Sequence, residues 1–96
     1  MYINQVKVEF DPAKDEINRT KHGVSLGAAI NFDWDTAIER EDDRFDYGEV
    51  HFVAIGLIDA RVYVMAFNEG SDDDTLRIIS LRPAEKHEMR HYYGQV

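Results

Sequence analysis

The 96-residue chain contains no cysteine. It therefore has neither a disulfide framework nor thiolate ligands for a metal, and a reducing cytoplasm suits it. It also lacks any apolar run near the roughly 20 residues that a membrane-spanning helix needs. Its first seven residues, Met-Tyr-Ile-Asn-Gln-Val-Lys, do not follow the basic, apolar, small-residue order of a secretory signal. These absences lead us to expect a cytoplasmic protein with no membrane role and one small domain over residues 1–96.

Several common catalytic motifs are missing as well. The six glycines are scattered, which excludes a glycine-rich phosphate-binding loop, and no Gly-x-Ser-x-Gly turn is present. Among the four histidines, only His87 and His91 have the i, i+4 spacing of a helical metal pair, and no set of carboxylates stands at a recognised spacing beside them. The sequence therefore predicts no serine hydrolase, no metal and no cofactor.

Negative charge predominates, with a formal net charge of −8. A protein that binds nucleic acid usually has a basic surface, so the total argues against such a partner. The distribution changes this interpretation, because residues 33–49 carry −6 and residues 69–75 carry −4, whereas residues 76–96 carry +2. The acidic residues lie in two predicted loops or edges and the basic residues cluster at the C-terminal end. A plain solvated surface explains the same clustering.

Local patterns predict an α+β fold, a small antiparallel sheet packed with two N-terminal helices and one C-terminal helix. Asp11 is a good N-cap, a proline follows it, and Gly23 can take the left-handed conformation that ends a helix. The predicted elements are a strand over 2–10, a helix over 12–22, a short helix capped by Ser25, an edge strand and loop over 33–48, a hairpin of 50–58 and 61–68 that turns at Asp59-Ala60, a strand over 75–81 and a helix over 84–93.

The remaining candidates for chemistry are arginine, lysine, histidine and tyrosine side chains, and this set suits the metal-free cleavage of RNA. In that reaction the 2′-hydroxyl attacks its own phosphate, so the protein supplies a base, an acid and cations. Histidine titrates near neutral pH, and arginine grips two phosphate oxygens at once. Arg77 and Arg82 have opposite parity on the last strand and converge only if that strand ends or bulges before Arg82. On the last helix Lys86 and Arg90 share one stripe, and Tyr92 or Tyr93 offers a ring for base stacking.

Each of these residues also has a purely structural explanation. Arg77 suits an ion pair with a buried carboxylate, and cations in the C-terminal half of a helix are favourable in any protein. One of Tyr92 and Tyr93 suits the core, and His51 between two apolar residues suits a satisfied sheet histidine. The residues alone leave these alternatives open.

Four ordered blocks resemble the BrnT family of bacterial toxins. The blocks are Phe10-Asp11-Pro12-Ala13-Lys14, Lys21-His22-Gly23-Val24-Ser25, Tyr47-Gly48-Glu49 leading into Phe52-Val53-Ala54-Ile55-Gly56, and Arg77-Ile78-Ile79-Ser80-Leu81-Arg82-Pro83-Ala84. The resemblance covers nearly the whole chain. It implies a compact fold similar to RelE-type ribonucleases and a type II toxin–antitoxin module. It also implies that the protein cleaves RNA in the cytoplasm and so inhibits translation. The resemblance further implies a BrnA-like ribbon-helix-helix antitoxin that silences the toxin, and the toxin would contact DNA only indirectly, through this antitoxin.

Two positions depart from the family pattern. The family usually has Gly-Glu-Glu-Arg where this chain has Gly48-Glu49-Val50-His51, so a titratable histidine replaces an arginine. Pro83 stands where a basic residue is common. We expect these departures to weaken the activity, or else His51 to serve in proton transfer.

Residues and resemblance together predict a metal-independent endoribonuclease toxin. The predicted catalytic residues are Arg77 and Arg82 on the phosphate, with His22, His51 or Glu49 moving protons. The predicted RNA contacts are Lys14, Lys21, Lys86, Arg90, Tyr92 and Tyr93. Two alternatives are a ParE-like, non-catalytic inhibitor of DNA gyrase and a plain antitoxin-binding module. The ribonuclease hypothesis requires the cationic side chains to gather in one pocket despite the acidic total.

Overall fold

The computed structural model describes residues 7–42 and 51–95. In chain order the elements are β1 (Lys7–Glu9), α1 (Pro12–His22), a 3₁₀ helix (Leu26–Asn31), β2 (Ile38–Asp42), β3 (His51–Ile58), β4 (Arg61–Glu69), β5 (Thr75–Pro83) and α2 (Lys86–Gln95). The strands form one sheet in the order β1-β5-β4-β3-β2. The predicted α+β class is confirmed.

The sheet differs from the prediction in one respect. β1 runs parallel to β5, while the other neighbouring strands are antiparallel, so the sheet is mixed. Antiparallel neighbours can be recognised from the short turn between them, whereas a parallel pair is joined by a long crossover that leaves no such turn in the sequence. Only the first of the two predicted N-terminal helices is an α-helix, because the second is a 3₁₀ helix of six residues.

Local side-chain chemistry sets the ends of α1 and of the 3₁₀ helix. Asp11 accepts a hydrogen bond from the Ala13 N–H at 2.9 Å, and Gly23 ends the helix at φ 74°. Ser25 caps the 3₁₀ helix by accepting from the Gly27 N–H at 3.1 Å. These three predicted caps are confirmed, because each depends only on residues close in the chain.

The hairpin between β3 and β4 turns in two residues, as the sequence predicts. Ile58 and Arg61 are partners across the strands, which leaves Asp59 and Ala60 as the loop. Asp59 adopts a φ of 55°, a left-handed conformation that aspartate tolerates better than most residues.

The hydrophobic core lies between one face of the sheet and the 3₁₀ helix. Its buried members include Leu26 and Phe32 from the N-terminal half and Met65 and Leu81 from the sheet. The ring of Phe32 lies so close to Gly56 that a Cβ there would be 2.6 Å from Cζ. Glycine at this strand position therefore makes room for the aromatic ring.

Asn18 fixes α1 against the edge of β5 beyond the end of β1. Its Nδ2 donates to the Leu81 carbonyl at 2.8 Å and to the Val24 carbonyl at 2.9 Å, and its Oδ1 accepts from the Leu81 N–H at 3.1 Å. The buried amide thus satisfies the strand edge as a neighbouring strand would. As a result, the C-terminal end of α1 lies beside the C-terminal half of β5.

A bulge in β5 brings the two candidate arginines onto one face of the sheet. Ala66 pairs with Ser80 and the next residue of β4 pairs with Ile78, so Ile79 is the extra residue. Arg77 is opposite residue 68 and Arg82 is opposite residue 64. Positions 64 and 68 of one strand share a face, so both arginines do too. The strand therefore bulges before Arg82, as the sequence analysis requires for the two arginines to lie on one face.

The second helix is anchored at its C-terminal half by Tyr92. This side chain is 1% exposed, and its hydroxyl shares a hydrogen bond of 2.6 Å with that of Thr36. In the described part of the chain, no helix has the length and apolarity to cross a membrane.

Candidate functional site

A cavity of about 350 Å³ opens on the sheet face opposite the 3₁₀ helix. Its floor consists of apolar residues of β3 and β4 that alternate with the core residues. Its polar lining consists of Arg40, Asp42, His51, Ser80, Arg82, Glu88 and His91. Four strands and α2 therefore contribute to one concave site with both apolar and polar walls.

Arg82 is held in the cavity by a two-pronged ion pair with Glu88. Nη1 of Arg82 lies 2.8 Å from Oε1 of Glu88, and Nη2 lies 2.8 Å from Oε2. Glu88 is held in turn by the Glu85 N–H, which donates to Oε1 at 2.8 Å. No bond from Nε of Arg82 to a described residue accompanies these contacts. The pair thus fixes the orientation of the guanidinium.

The ion pair stays charged over a wide pH range. Hydrogen bonds from Arg82 lower the pKa of Glu88 to about 2, although burial acts in the opposite direction. The same bonds raise the pKa of Arg82 above its usual value. Side-chain exposures of 34% for Arg82 and 15% for Glu88 place the pair partly out of water.

Among the described residues that line the cavity, the fixed charges balance one another. Arg40 lies 4.0 Å from Asp42, so this pair matches the Arg82 and Glu88 pair. Asp42 is also the cross-strand partner of His51. Among the described lining residues, two guanidinium groups and two carboxylates thus stand beside two histidines, His51 and His91.

A smaller hollow of about 140 Å³ adjoins the cavity along β5. It is lined by Lys14, Lys21 and His22 of α1, and Ile79 and Ser80 line both spaces. Burial lowers the pKa of His22, and the nearby charges of Lys21 and Arg82 lower it further. Three predicted site residues of α1 are therefore brought beside the Arg82 cavity, and His22 is kept neutral at neutral pH.

Arg77 lies apart from the cavity, so the requirement that the cationic side chains gather in one pocket is not met by this residue. Of the two predicted arginines, only Arg82 can bind a phosphate in the cavity. The exposed guanidinium pairs with Glu9 of β1, with Nη2 2.7 Å from Oε2. Glu9 also accepts bonds from the Ser71 hydroxyl and N–H, and these bonds lower its pKa more than Arg77 does. At about 3.3 Å per residue, Arg77 and Arg82 are roughly 15 Å apart along the strand. Each predicted arginine is paired with a glutamate, and only Arg82 lines the concave site.

The C-terminal helix places its predicted residues differently. Lys86 and Arg90 are exposed outside the cavity, and Tyr93 is 57% exposed. Tyr92 is buried, so its ring is not exposed to stack on a base, and the alternative that one of the two tyrosines belongs to the core holds for this residue. The hydroxyl of Tyr92 shares a hydrogen bond with that of Thr36, so the polar end of the buried side chain is satisfied. Glu49, the remaining predicted catalytic residue, lies outside the described residues.

Sequence reasoning missed several residues of the cavity. Arg40 and Asp42 come from β2, whose charged sequence lacks a clear strand pattern. Glu88 and His91 are three residues apart on α2, a spacing that places both on one side of a helix. That spacing was a usable signal. Glu85, His87 and Glu88 also place one possible ligand atom each within 4.8 Å of one another, although Arg82 already engages Glu88.

The small mixed sheet, its helices and the cavity lined by arginines and histidines define a class, that of small α+β proteins with a concave site on one face of the sheet. Residues 10–88 match the family model described as ribonuclease toxin, BrnT, of type II toxin–antitoxin systems. The match spans most of the chain, and the chain therefore belongs to the BrnT family. It is a ribonuclease toxin, and its module implies an antitoxin protein as partner. No curated protein matches the chain.

Proposed function

We propose that this toxin cleaves RNA without a metal ion, in the cavity around Arg82. The RNA 2′-hydroxyl attacks the adjacent phosphorus, and the bond to the 5′-oxygen breaks. The observation that carries the proposal is the presence of an oriented guanidinium and an imidazole, those of Arg82 and His51, in one concave site. Such a site supplies the charge and the proton transfer that the reaction needs.

Arg82 is the phosphate-binding residue of this proposal. Glu88 holds its two terminal nitrogens, so the Nε edge is presented in a fixed orientation to a phosphate oxygen. Ser80, which lines both the cavity and the hollow, offers a hydroxyl donor beside it. A pre-oriented donor costs little reorganisation when charge develops on the phosphate.

Proton transfer falls to histidines around Ser80. His51 lines the cavity and His22 lines the hollow, so both are near the position of the phosphate. The lowered pKa of His22 keeps it in the form that accepts a proton. His51 replaces the arginine common in the family and converts a fixed charge into a titratable group.

The RNA strand follows a basic path rather than the acidic surface as a whole. Lys14 and Lys21 flank the hollow and hold phosphates on one side of the cavity. On β5, Arg77 releases Glu9 and binds a phosphate of the RNA instead. The exposed residues Lys86, Arg90 and Tyr93 extend the path along α2.

The cellular setting belongs to the same proposal. The toxin, with a RelE-type fold, acts in the cytoplasm and inhibits translation by cutting RNA. A BrnA-like ribbon-helix-helix antitoxin silences it by laying an acidic or aromatic segment across the exposed basic residues of α2. DNA is contacted only through that antitoxin.

The direct test is cleavage of a labelled RNA by the purified toxin in excess EDTA. Arg82→Lys keeps the charge but loses the fork geometry, so we expect cleavage to fall about 100-fold or more. Arg61→Lys makes the same exchange at an exposed residue that only approaches the ring of Tyr63, at 5.9 Å from its centroid, and should cleave like the wild type. Circular dichroism of both variants checks that they fold.

Two results would overturn the proposal. Cleavage by Arg82→Lys at the wild-type rate would remove Arg82 from the site, and activity lost in EDTA but restored by a divalent cation would refute the metal-free reaction. In cells, brief induction should produce new RNA ends. Growth arrest with intact RNA and trapped gyrase would instead favour a ParE-like inhibitor.

A further inference from the structure

α2 carries to the cavity a histidine, His91, that lies beyond the residues matched by the family model and is not among the predicted catalytic residues. His91 lines the same space as His51 and Arg82. It reaches that space from the helix, whereas His51 comes from the first position of β3. Two imidazoles from two separate elements therefore share one cavity with the phosphate-binding arginine.

The helix holds His91 in place from both sides along the chain. Three residues earlier, Glu88 is bound to Arg82 by two contacts of 2.8 Å. One residue later, Tyr92 is buried and bonded to Thr36 at 2.6 Å. An exposed imidazole between two such anchors has a fixed backbone position at the mouth of the cavity.

We propose that His91 is a catalytic residue that works as the partner of His51 in the RNA cleavage described above. This inference rests on the proposed function. One imidazole, in its neutral form, takes the proton of the 2′-hydroxyl as the new bond to phosphorus forms. The other, as imidazolium, gives its proton to the 5′-oxygen as the bond from phosphorus to that oxygen breaks. The products are a 2′,3′-cyclic phosphate and a 5′-hydroxyl, and no other reactant is consumed.

Charge in the cavity explains why two histidines belong there. Among the described residues, the titratable and charged groups that share the cavity with His91 are Arg40 and Asp42 of β2, His51 of β3, Arg82 of β5 and Glu88 of α2. The fixed charges among them cancel, so one neutral and one protonated imidazole give a single positive charge. That charge favours an anionic phosphate, and both proton-transfer forms are present at the same time.

The test compares His91→Gln with His87→Gln, a matched change one turn earlier on the same exposed helix and outside the cavity. We expect His91→Gln to lower single-turnover cleavage about 100-fold or more, the usual contribution of an acid or base. His87→Gln should cleave like the wild type. The rate of the wild type should rise and fall with pH, and His91→Gln should lose one of the two limbs, which a structural role would not cause.

A substrate with a sulfur in place of the bridging 5′-oxygen assigns the roles. Its leaving group needs no proton, so it restores the rate of the variant that lacks the acid and not of the variant that lacks the base. Restored cleavage by either His91→Gln or His51→Gln alone, with the other still slow, supports the pair.

The inference and the proposed function fail in different ways. If Arg82→Lys is inactive but His91→Gln keeps the wild-type rate and both limbs of the pH profile, only the inference is overturned. The same holds if His87→Gln loses as much activity as His91→Gln. If the wild type leaves RNA intact in EDTA, the proposed function itself fails.

Discussion

Replacing Glu88 by glutamine tests the ion pair on which the geometry of the cavity depends. The amide keeps the size of the side chain and an oxygen to accept the Glu85 N–H, but it loses the charge that holds Arg82. Arg82 then remains partly buried without its counter-ion. We expect both stability and cleavage to fall, because the guanidinium is no longer oriented.

The pKa of Glu88 sets the size of the effect. Each pH unit by which a pKa falls corresponds to about 1.4 kcal/mol, so a fall from 4.5 to about 2 gives an upper limit of about 3.5 kcal/mol. Water reaches the 34% exposed side chain of Arg82 and screens the pair, which reduces the expected loss to about 1–2 kcal/mol. For a domain of this size that loss lowers Tm by about 5–15 °C.

The contribution of the Glu88 carboxylate to the free energy of unfolding depends on pH. The carboxylate has a lower pKa in the folded protein, so its contribution is complete above about pH 4.5 and disappears as the pH falls through about 2. Thermal melts of Glu88→Gln and the wild type should therefore differ at neutral pH and converge in strong acid. Glu85→Gln, a change of the same charge on an exposed neighbour, is the control and should stay within about 0.5 kcal/mol. Equal stability of Glu88→Gln and the wild type at neutral pH would refute the account of the pair.

Two further predictions concern the anchors of the helices. Asn18→Ala leaves the N–H and C=O of Leu81 unpaired at the edge of β5, so we expect a loss of about 2–3 kcal/mol in urea unfolding and faster hydrogen exchange of the Leu81 amide. Unchanged exchange there would contradict the docking of α1 through this amide. Tyr92→Phe keeps the buried ring but removes the bond to Thr36, and it should cost about 0.5–1.5 kcal/mol in the same assay. A variant as stable as the wild type would show that the hydroxyl bond does not anchor α2.

Local chemistry made much of the fold predictable. The caps at Asp11, Gly23 and Ser25 and the turn at 59–60 each depend on a few neighbouring residues, and the structure has all of them. The parallel pairing of β1 with β5 was not predictable in this way. It joins segments separated by most of the chain, and no local pattern specifies such a contact.

The candidate site was predictable in part for the same reason. Parity along β5 showed that Arg77 and Arg82 need a bulge to share a face, but only the pairing with β4 shows the bulge at Ile79. Adjacent tyrosines on a helix point in different directions, so one can be buried while the other is exposed. Here Tyr92 is the buried one, and its hydroxyl shares a hydrogen bond with that of Thr36. The acidic partners of the two arginines, Glu9 and Glu88, lie on β1 and α2. Which glutamate pairs with which arginine depends on how these elements pack, and the sequence alone does not specify that packing.

The chemistry of the reaction itself is tested most directly with an RNA that carries a single 2′-deoxynucleotide at the position of cleavage, incubated with the toxin in EDTA. If the ribose supplies the nucleophile and the cavity supplies charge and protons, the modified RNA remains intact at that position and the unmodified RNA yields a 2′,3′-cyclic phosphate end. Cleavage of both RNAs at the same rate, or products that end in a 3′-hydroxyl and a 5′-phosphate, would contradict the account.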